Sequence, residues 1–285
     1  MGKGITIACQ DGVMLSGLLF PPQGDARGAC VICSALGVPK EYYAPFASFL
    51  AERGYAAFTY DNRGIGESRA DGIRGRDLRM IDWGVQDLEA VLGRVIDEGF
   101  DRRITLVGHS AGGQLIGMAP LSARLSGVVF APACTANWRM YPFPFRLVVL
   151  LLMHAIVPVF SAGRDDFPAR VLGISSVNVA TGVIAQWARW ARQRDYLFSS
   201  TFGIDTRRYR ELTFPILSFS FDDDTYAPQK AVEHLLSQYP NTRIERRRIS
   251  ASELGLGRIG HLGFFKEKMR PTLWKQAVDW LDALP

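Results

Sequence analysis

The residue with the clearest potential for nucleophilic chemistry is Ser110, which lies in the pattern Gly108-x-Ser110-x-Gly112. The short run before it, Ile104–Val107, is β-branched at three of four positions, which is typical of a buried strand. The stretch after it, Gln114–Met118, predicts the start of a buried helix. Strand, glycine-flanked serine and helix together predict a sharp turn that projects the hydroxyl group, with free helix N–H groups behind it for a developing negative charge.

A serine hydroxyl is a weak nucleophile until a base takes its proton, and four histidines are available. His109 adjoins the serine and points away from it in such turns, which favours a structural role. His154 lies in an apolar run, His234 on a predicted helix, and His261 in a Gly-rich loop before the last helix. The candidates for the acid that orients the base are consecutive: Asp222, Asp223 and Asp224.

The elements that must position these residues alternate between strand and helix up to about residue 131, which predicts right-handed βαβ units and a mostly parallel sheet. Two strands at the N-terminus, Ile5–Cys9 and Val13–Phe20, predict an antiparallel hairpin. The alternation stops over residues 132–213, which are rich in Trp, Phe and Pro and predict a largely helical inserted cap. Residues 1–131 and 214–285 are then expected to form one α/β core.

The composition is that of a globular protein, with 48% apolar and 21% charged residues in a chain of 285. Its formal net charge is +5, but the basic residues are scattered. The one dense run, Arg246–Arg248, is expected at a solvated strand end. No basic stripe is interleaved with aromatic residues, so we expect no nucleic-acid partner.

Cysteine usage favours a reducing compartment. Cys30 and Cys33 have C-x-x-C spacing but lie inside an apolar strand pattern without a second ligand pair, so we expect buried free thiols. Free thiols and the absence of an apolar segment at the N-terminus predict a cytoplasmic protein. We find no metal-ligand cluster and no dinucleotide-binding glycine pattern, and expect no metal and no cofactor.

Residues 143–160 are strongly apolar and about as long as a membrane span. Arg146, Pro144 and Pro158 interrupt the run, and its uninterrupted part is too short to cross a bilayer. We expect a buried or lid helix here. Contact with a membrane surface is the alternative.

With these elements placed, the chain resembles the α/β-hydrolases over nearly its whole length. The resemblance rests on the glycine-flanked serine, on a loop similar to D-x-R-G-x-G-x-S, on an acid loop and on a histidine loop: Gly108–Gly112, Asp61–Ser68, Asp224–Pro228 and Gly260–Gly263. Together with Phe167–Arg170 and Gly260–Phe265, these segments are most similar to a group of bacterial predicted α/β-hydrolases, a likeness that implies no substrate.

The resemblance implies an α/β-hydrolase fold, with a mostly parallel twisted sheet, an N-terminal antiparallel hairpin and an inserted helical cap. It implies Ser110 as nucleophile and His261 as base, in the loop where the family keeps that residue. The family's spacing to the following proline selects Asp224 as the orienting acid. The order Ser, Asp, His along the chain is that of the family.

The resemblance also implies an oxyanion hole made of two backbone N–H groups. One is expected from Ala111, directly after the serine. The other is expected from the loop after the third strand, from Leu36 or, as the alternative, Ala35; many members have His-Gly where this chain has Ser34-Ala35. The loop Asp61–Ser68 is expected to give structural support and not to bind metal or phosphate.

These expectations describe a serine hydrolase that cleaves a carboxylic ester or thioester through an acyl-enzyme. The apolar, aromatic residues 132–213 suggest a small apolar acyl or aryl substrate as the partner; a cap whose apolar residues only bury one another is the alternative. Peptidase or amidase activity, acyl transfer to an acceptor other than water, and ligand binding without catalysis are the alternatives.

Overall fold

The computed structural model describes residues 2–68 and 72–285, and strands make up its centre. In chain order the strands are β1 (Lys3–Ala8), β2 (Met14–Phe20), β3 (Gly28–Cys33), β4 (Tyr55–Tyr60), β5 (Ile104–Gly108), β6 (Leu125–Phe130), β7 (Asp166–Phe167), β8 (Val179–Ala180), β9 (Ile216–Phe221) and β10 (Ile244–Ile249).

Eight of these strands form one sheet in the order β1-β2-β4-β3-β5-β6-β9-β10. The first three neighbours pair antiparallel, β1 with β2 and β2 with β4, and every pair from β4 to β10 is parallel. The mostly parallel sheet with an N-terminal antiparallel hairpin, predicted from the sequence, is confirmed. Parallel order brings the carboxyl ends of β3, β5, β6 and β9 to one edge.

The helices are α1 (Ala44–Glu52), α2 (Glu89–Asp97), α3 (Ala111–Gln114), α4 (Phe145–Leu151), α5 (Val157–Ser161), α6 (Thr181–Arg192), α7 (Arg208–Glu211), α8 (Gln229–Leu236) and α9 (Lys275–Asp282). They lie on both faces of the sheet, because successive residues of a buried strand point to opposite sides. Val31 of β3 packs into the core beneath α2 and α8, while its neighbours Cys30 and Ile32 pack into the core beneath α1 and α9.

The helix expected after Ser110 is much shorter than the sequence suggested. Only α3 is α-helical there, and two 3₁₀ turns, Ile116–Met118 and Pro120–Arg124, follow it. Gly117 and Pro120 explain the difference, since glycine and proline have the lowest helix propensities. The segment still contributes apolar side chains to the core.

Between β6 and β9 the chain leaves the main sheet; residues 132–213 are called the inserted segment below. In it α4 continues through a π-turn, Leu152–Ile156, into α5, and the two short strands β7 and β8 pair antiparallel. This helical rod, residues 145–161, is called the outer helix. Among the described residues, the structure has no helix whose length and apolar character would let it cross a membrane.

The four cysteines are buried free thiols, which confirms the prediction for Cys30 and Cys33. Burial raises the pKa of both Cys30 and Cys33 to about 12. Because the thiolate is the form that binds metal and attacks disulfides, this pair is unsuited to either chemistry. The run Arg246–Arg248 lies in the edge strand β10, where Glu233 pairs with Arg246.

Candidate active site

Ser110 lies at the carboxyl end of β5, in the strained turn that its glycine neighbours predicted. Its φ of 51° and ψ of −116° lie in a region that non-glycine residues rarely adopt, at a cost of about 1–3 kcal/mol. The Ser110 N–H donates to the Pro132 carbonyl at 2.7 Å. A Cβ added at Gly112 would lie 2.4 Å from the Cys33 carbonyl oxygen, so only glycine lets the turn approach β3 this closely.

His261 and Asp224 meet at the same edge of the sheet, where the loops after β9 and β10 converge. The Nδ1 atom of His261 lies 2.8 Å from Oδ2 of Asp224. The other oxygen of Asp224 accepts from the N–H groups of Tyr226 and Ala227, at 2.9 and 3.0 Å. The carboxylate is buried while the ring keeps 14% of its surface exposed, so a fixed anion holds one side of an accessible imidazole.

The three consecutive aspartates have different surroundings. Asp223 accepts from the N–H groups of Ile259 and Gly260, at 2.8 and 2.9 Å, and so fixes the turn before His261. Asp222 is exposed, and a hydrogen bond from Ser250 lowers the pKa of its carboxyl group. Only Asp224 contacts the imidazole.

His109 joins two loops of the site through a chain of buried hydrogen bonds. The Tyr43 hydroxyl accepts from the Ala35 N–H at 2.8 Å and lies 2.9 Å from Nδ1 of His109. The other ring nitrogen, Nε2, lies 3.0 Å from the His261 carbonyl oxygen. Because a carbonyl only accepts, Nε2 carries the proton, and the Tyr43 hydroxyl donates to Nδ1.

This chain keeps His109 neutral and holds it in a structural position. Burial lowers its pKa well below the ordinary value, and the nearby His261 adds to the effect. The two imidazole rings lie 5.2 Å apart between centroids. Within the described residues, no hydrogen bond joins the Ser110 hydroxyl to the His261 ring; in enzymes without substrate such bonds are often long.

The two alternatives for the second oxyanion donor differ in their partners. The Ala35 N–H is already bound to the Tyr43 hydroxyl. In the described part of the chain, neither the Leu36 N–H nor the Ala111 N–H has an acceptor. The loop of Ala35 and Leu36 is fixed from the inserted segment, because Ser176 donates to the Gly37 carbonyl at 2.9 Å.

Charged side chains of the loop Asp61–Ser68 form ion pairs with neighbouring residues of the protein. The buried Asp61 accepts from Nζ of Lys40 at 3.1 Å and from the backbone N–H groups of Lys40 and Glu67. Nearby, Arg63 donates to the buried Asp87 through Nε at 2.6 Å and through its backbone N–H. These contacts occupy the acidic groups within the protein, as a structural role requires.

Aromatic side chains connect His261 to the inserted segment. The ring of Tyr226 lies 5.6 Å from that of His261, and Phe145, at the start of α4, lies 5.6 Å from Tyr226. A pocket of about 300 Å³ opens beside them. Tyr226, His261 and Leu262 line it together with three basic side chains, those of Arg258, Lys266 and Lys268.

The roles of two residues of the site, Asp223 and Tyr43, have no signal in the sequence. The Asp223 carboxylate accepts from the backbone N–H of Ile259, which lies 36 residues further along the chain. Tyr43 is one of several aromatic residues on an ordinary amphipathic stretch. Their parts follow from tertiary contacts, which spacing along the chain does not reveal.

Sequence comparison finds one family model that matches, described as serine aminopeptidase, S33, over residues 24–175, more than half of the chain. None of the curated protein sequences matches.

Solved structures are similar to this one over their full length at low sequence identity. DcsB in complex with a substrate analogue has a TM-score of 0.70 at 14% identity, covering 100% of both chains. The esterase EaEST of Exiguobacterium antarcticum has a TM-score of 0.64 at 17% identity, covering 99% of this chain and 100% of its own. A thermostable carboxyl esterase of Bacillus coagulans, in complex with glycerol, has 0.66 at 13% identity, with 99% and 98% covered.

Proposed function

Since the chain belongs to the α/β-hydrolase family described as serine aminopeptidase, S33, we propose that it is a serine hydrolase that cleaves a carboxylic ester or thioester through an acyl-enzyme. The observation that carries the proposal is the His261–Asp224 contact of 2.8 Å. It lies at the same edge of the sheet as the strained Ser110, which follows β5. A binding protein would have no need for a buried carboxylate oriented on an accessible imidazole, and a base held in this way is what an inert serine hydroxyl requires.

In the first half of the reaction the Ser110 oxygen attacks the substrate carbonyl carbon, and Nε2 of His261 takes the hydroxyl proton. Asp224 keeps Nδ1 protonated and stabilises the imidazolium ion. The C–O or C–S bond to the leaving group then breaks, and the proton passes from His261 to that group. In the second half a water molecule attacks the acyl carbon, His261 takes its proton, and the acid is released as the Ser110 hydroxyl is restored.

The negative charge that develops on the carbonyl oxygen is bound by the N–H groups of Ala111 and Leu36. We choose Leu36 over Ala35 because the Tyr43 hydroxyl already occupies the Ala35 N–H. The substrate we propose is a small molecule with an apolar acyl or aryl group, since the aromatic Phe145 of the inserted segment lies against Tyr226, next to His261. The reaction as written needs no cofactor, and the proposed setting is the cytoplasm, where free thiols persist.

The experiment that tests the proposal is labelling with a fluorophosphonate probe, alongside turnover of p-nitrophenyl esters of increasing chain length. We expect wild type to label and Ser110→Ala and His261→Ala to lose both labelling and turnover, while Ser237→Ala, an exposed serine on the surface, behaves as wild type. A folded wild type that neither labels nor hydrolyses any ester would refute the proposal.

A second candidate, aminopeptidase activity, comes from the description of the matching family. The same groups would act, with an amine as the leaving group that His261 protonates. Aminoacyl p-nitroanilides compared with the matching p-nitrophenyl esters distinguish the two. Faster turnover of the anilides would favour the peptidase. Transfer of the acyl group to added alcohols or amines, instead of to water, would reveal an acyltransferase.

A further inference from the structure

The outer helix, and Phe143 just before it, expose large apolar side chains along one side. Phe143, Leu147, Val148, Leu151 and Val159 are each more than half exposed, from 51% for Leu147 to 77% for Phe143. These five residues are called the apolar face. Exposed apolar residues are ordinary when scattered, but a contiguous group of this kind marks a surface that is covered in use.

The opposite side of the same helix anchors it to the protein. Val149, Met153 and Val157 follow one another at four-residue spacing and are almost fully buried, and this side of the rod packs against α6. These three buried side chains are therefore the ones that the outer helix contributes to the core. The apolar face is a second set, and within the described residues nothing in the protein covers it.

The charge around the apolar face is positive. Residues 147–163 contain no Asp, Glu, Lys or Arg; Arg146 precedes them and Arg164 follows them, with Asp165 and Asp166 next in the chain and Asp165 paired with Arg76. The inserted segment as a whole holds ten arginines and five acidic residues, a formal charge of +5 that equals the net charge of the entire chain. An uncharged apolar stripe on a segment of net positive charge is the pattern of a helix that lies in a membrane interface.

We infer that the apolar face rests on the surface of an anionic lipid bilayer, with its side chains among the acyl chains and the arginines at the phosphates. The structure argues against a symmetric pair of copies, because a two-fold contact through this face would bring two segments of charge +5 together. Bidentate bonds from guanidinium groups to phosphate oxygens suit arginine in particular.

The surface adjoins the candidate site. Phe145 of the outer helix contacts Tyr226, which contacts His261, and Tyr226 and Leu262 are themselves 54% and 43% exposed. The apolar surface thus extends from the bilayer-facing helix to the pocket beside the imidazole. Membrane contact is nevertheless independent of the proposed catalysis, because it is measured without any turnover.

The test is co-sedimentation with vesicles of phosphatidylcholine alone and of phosphatidylcholine mixed equally with phosphatidylglycerol. We expect wild type to bind the mixed vesicles and to be released by salt. Leu147→Gln/Leu151→Gln should weaken binding by about tenfold. Arg164→Gln should weaken it by about fivefold, since an arginine at an anionic surface is worth about that much.

Met14→Gln is the matched control, because Met14 is 50% exposed but lies at the start of β2, and it should bind as wild type does. Thermal unfolding by circular dichroism establishes that each variant is folded. Three results would overturn the inference: no sedimentation of wild type, equal binding to both vesicle types, or a dimer in sedimentation equilibrium that Leu147→Gln/Leu151→Gln disperses.

Discussion

The Tyr43 hydroxyl makes two hydrogen bonds at once, one as acceptor and one as donor. It accepts from the Ala35 N–H, in the loop proposed to hold the oxyanion, and donates to His109, whose ring donates to the His261 carbonyl. One side chain on the turn before α1 thereby sets the distance between the oxyanion loop and the loop of the proposed base. Catalysis is sensitive to errors of about 1 Å in such distances.

Tyr43→Phe should therefore lower kcat for p-nitrophenyl esters by about tenfold to a hundredfold with little change in KM. It should also lower the free energy of unfolding by about 1–3 kcal/mol, because it leaves a buried donor and a buried acceptor unpaired. Steady-state kinetics and urea unfolding measure the two effects. The control is Tyr239→Phe, whose buried hydroxyl has no protein partner in the described part of the chain; equal losses in both variants would contradict the argument.

His109 should make the stability of the protein depend on pH. Burial lowers its pKa in the folded state well below the ordinary value of 6.5, so below that pH the unfolded chain binds a proton that the folded protein does not. The free energy of unfolding then falls as the pH falls, by up to about 1.4 kcal/mol for each pH unit below about 6.5.

Urea unfolding between about pH 7.5 and about pH 5.5 measures this loss in wild type and in His109→Gln. The glutamine keeps an N–H donor for the His261 carbonyl but does not titrate, so the slope should be shallower in the variant. His234, whose pKa burial also lowers, contributes equally to both proteins. Parallel pH curves would show that His109 is not the group responsible.

At this scale the sequence reveals residues whose signal is local. Ser110 could be selected because strand, glycine and serine are consecutive, and His261 because its loop follows the last strand. Two candidates for the second oxyanion donor stayed open, because the choice depends on Tyr43, which reaches Ala35 from the following helical turn. The role of Asp223 was hidden for the same physical reason, since its partners belong to another loop.

Among the elements, the turn between β5 and α3 depends most on single atoms. Gly112 lies against the end of β3, and an added Cβ would overlap the Cys33 carbonyl oxygen at 2.4 Å. The backbone there is held by strand pairing between β3 and β5, so it has little freedom to move away.

Gly112→Ala should accordingly lower the free energy of unfolding by about 1–3 kcal/mol. The matched control is Gly4→Ala in β1, where an added Cβ meets no atom within 4 Å and the effect should stay within about 0.5 kcal/mol. Urea unfolding of both variants decides the point. A Gly112→Ala protein as stable as the control would mean that β3 and the turn are less tightly fixed than the geometry indicates.

Element type was predictable wherever a segment is a short apolar run buried almost without interruption, as in the strands β3 to β6. Element length was not, as α3 shows, because apolar residues such as Ile116 and Met118 are buried equally well in a 3₁₀ turn. The outer helix was predictable as an apolar helix, whereas its exposed side was not. Apolar character alone does not tell which neighbours cover a helix.

On the scale of the whole molecule, positive charge is concentrated away from the sheet. The inserted segment carries the full net charge of +5, and the rest of the chain holds as many acidic as basic residues. The pocket beside His261 is lined by three basic side chains, Arg258, Lys266 and Lys268, and by one acidic side chain, Asp223. An anionic molecule that approaches the site therefore meets an attractive potential, which raises its rate of association.

The consequence is a salt dependence that differs between substrates of different charge. We expect kcat/KM for a p-nitrophenyl ester with a carboxylate on its acyl group to fall at least about threefold from low to physiological ionic strength, as the Debye length shortens from about 30 Å to about 8 Å. The kcat/KM of the uncharged ester of equal length should change little, because an uncharged substrate has no charge–charge attraction for salt to screen. Lys266→Gln/Lys268→Gln should reduce the difference between the two esters. Identical salt profiles for both substrates would place the positive potential away from the path that substrates take to Ser110.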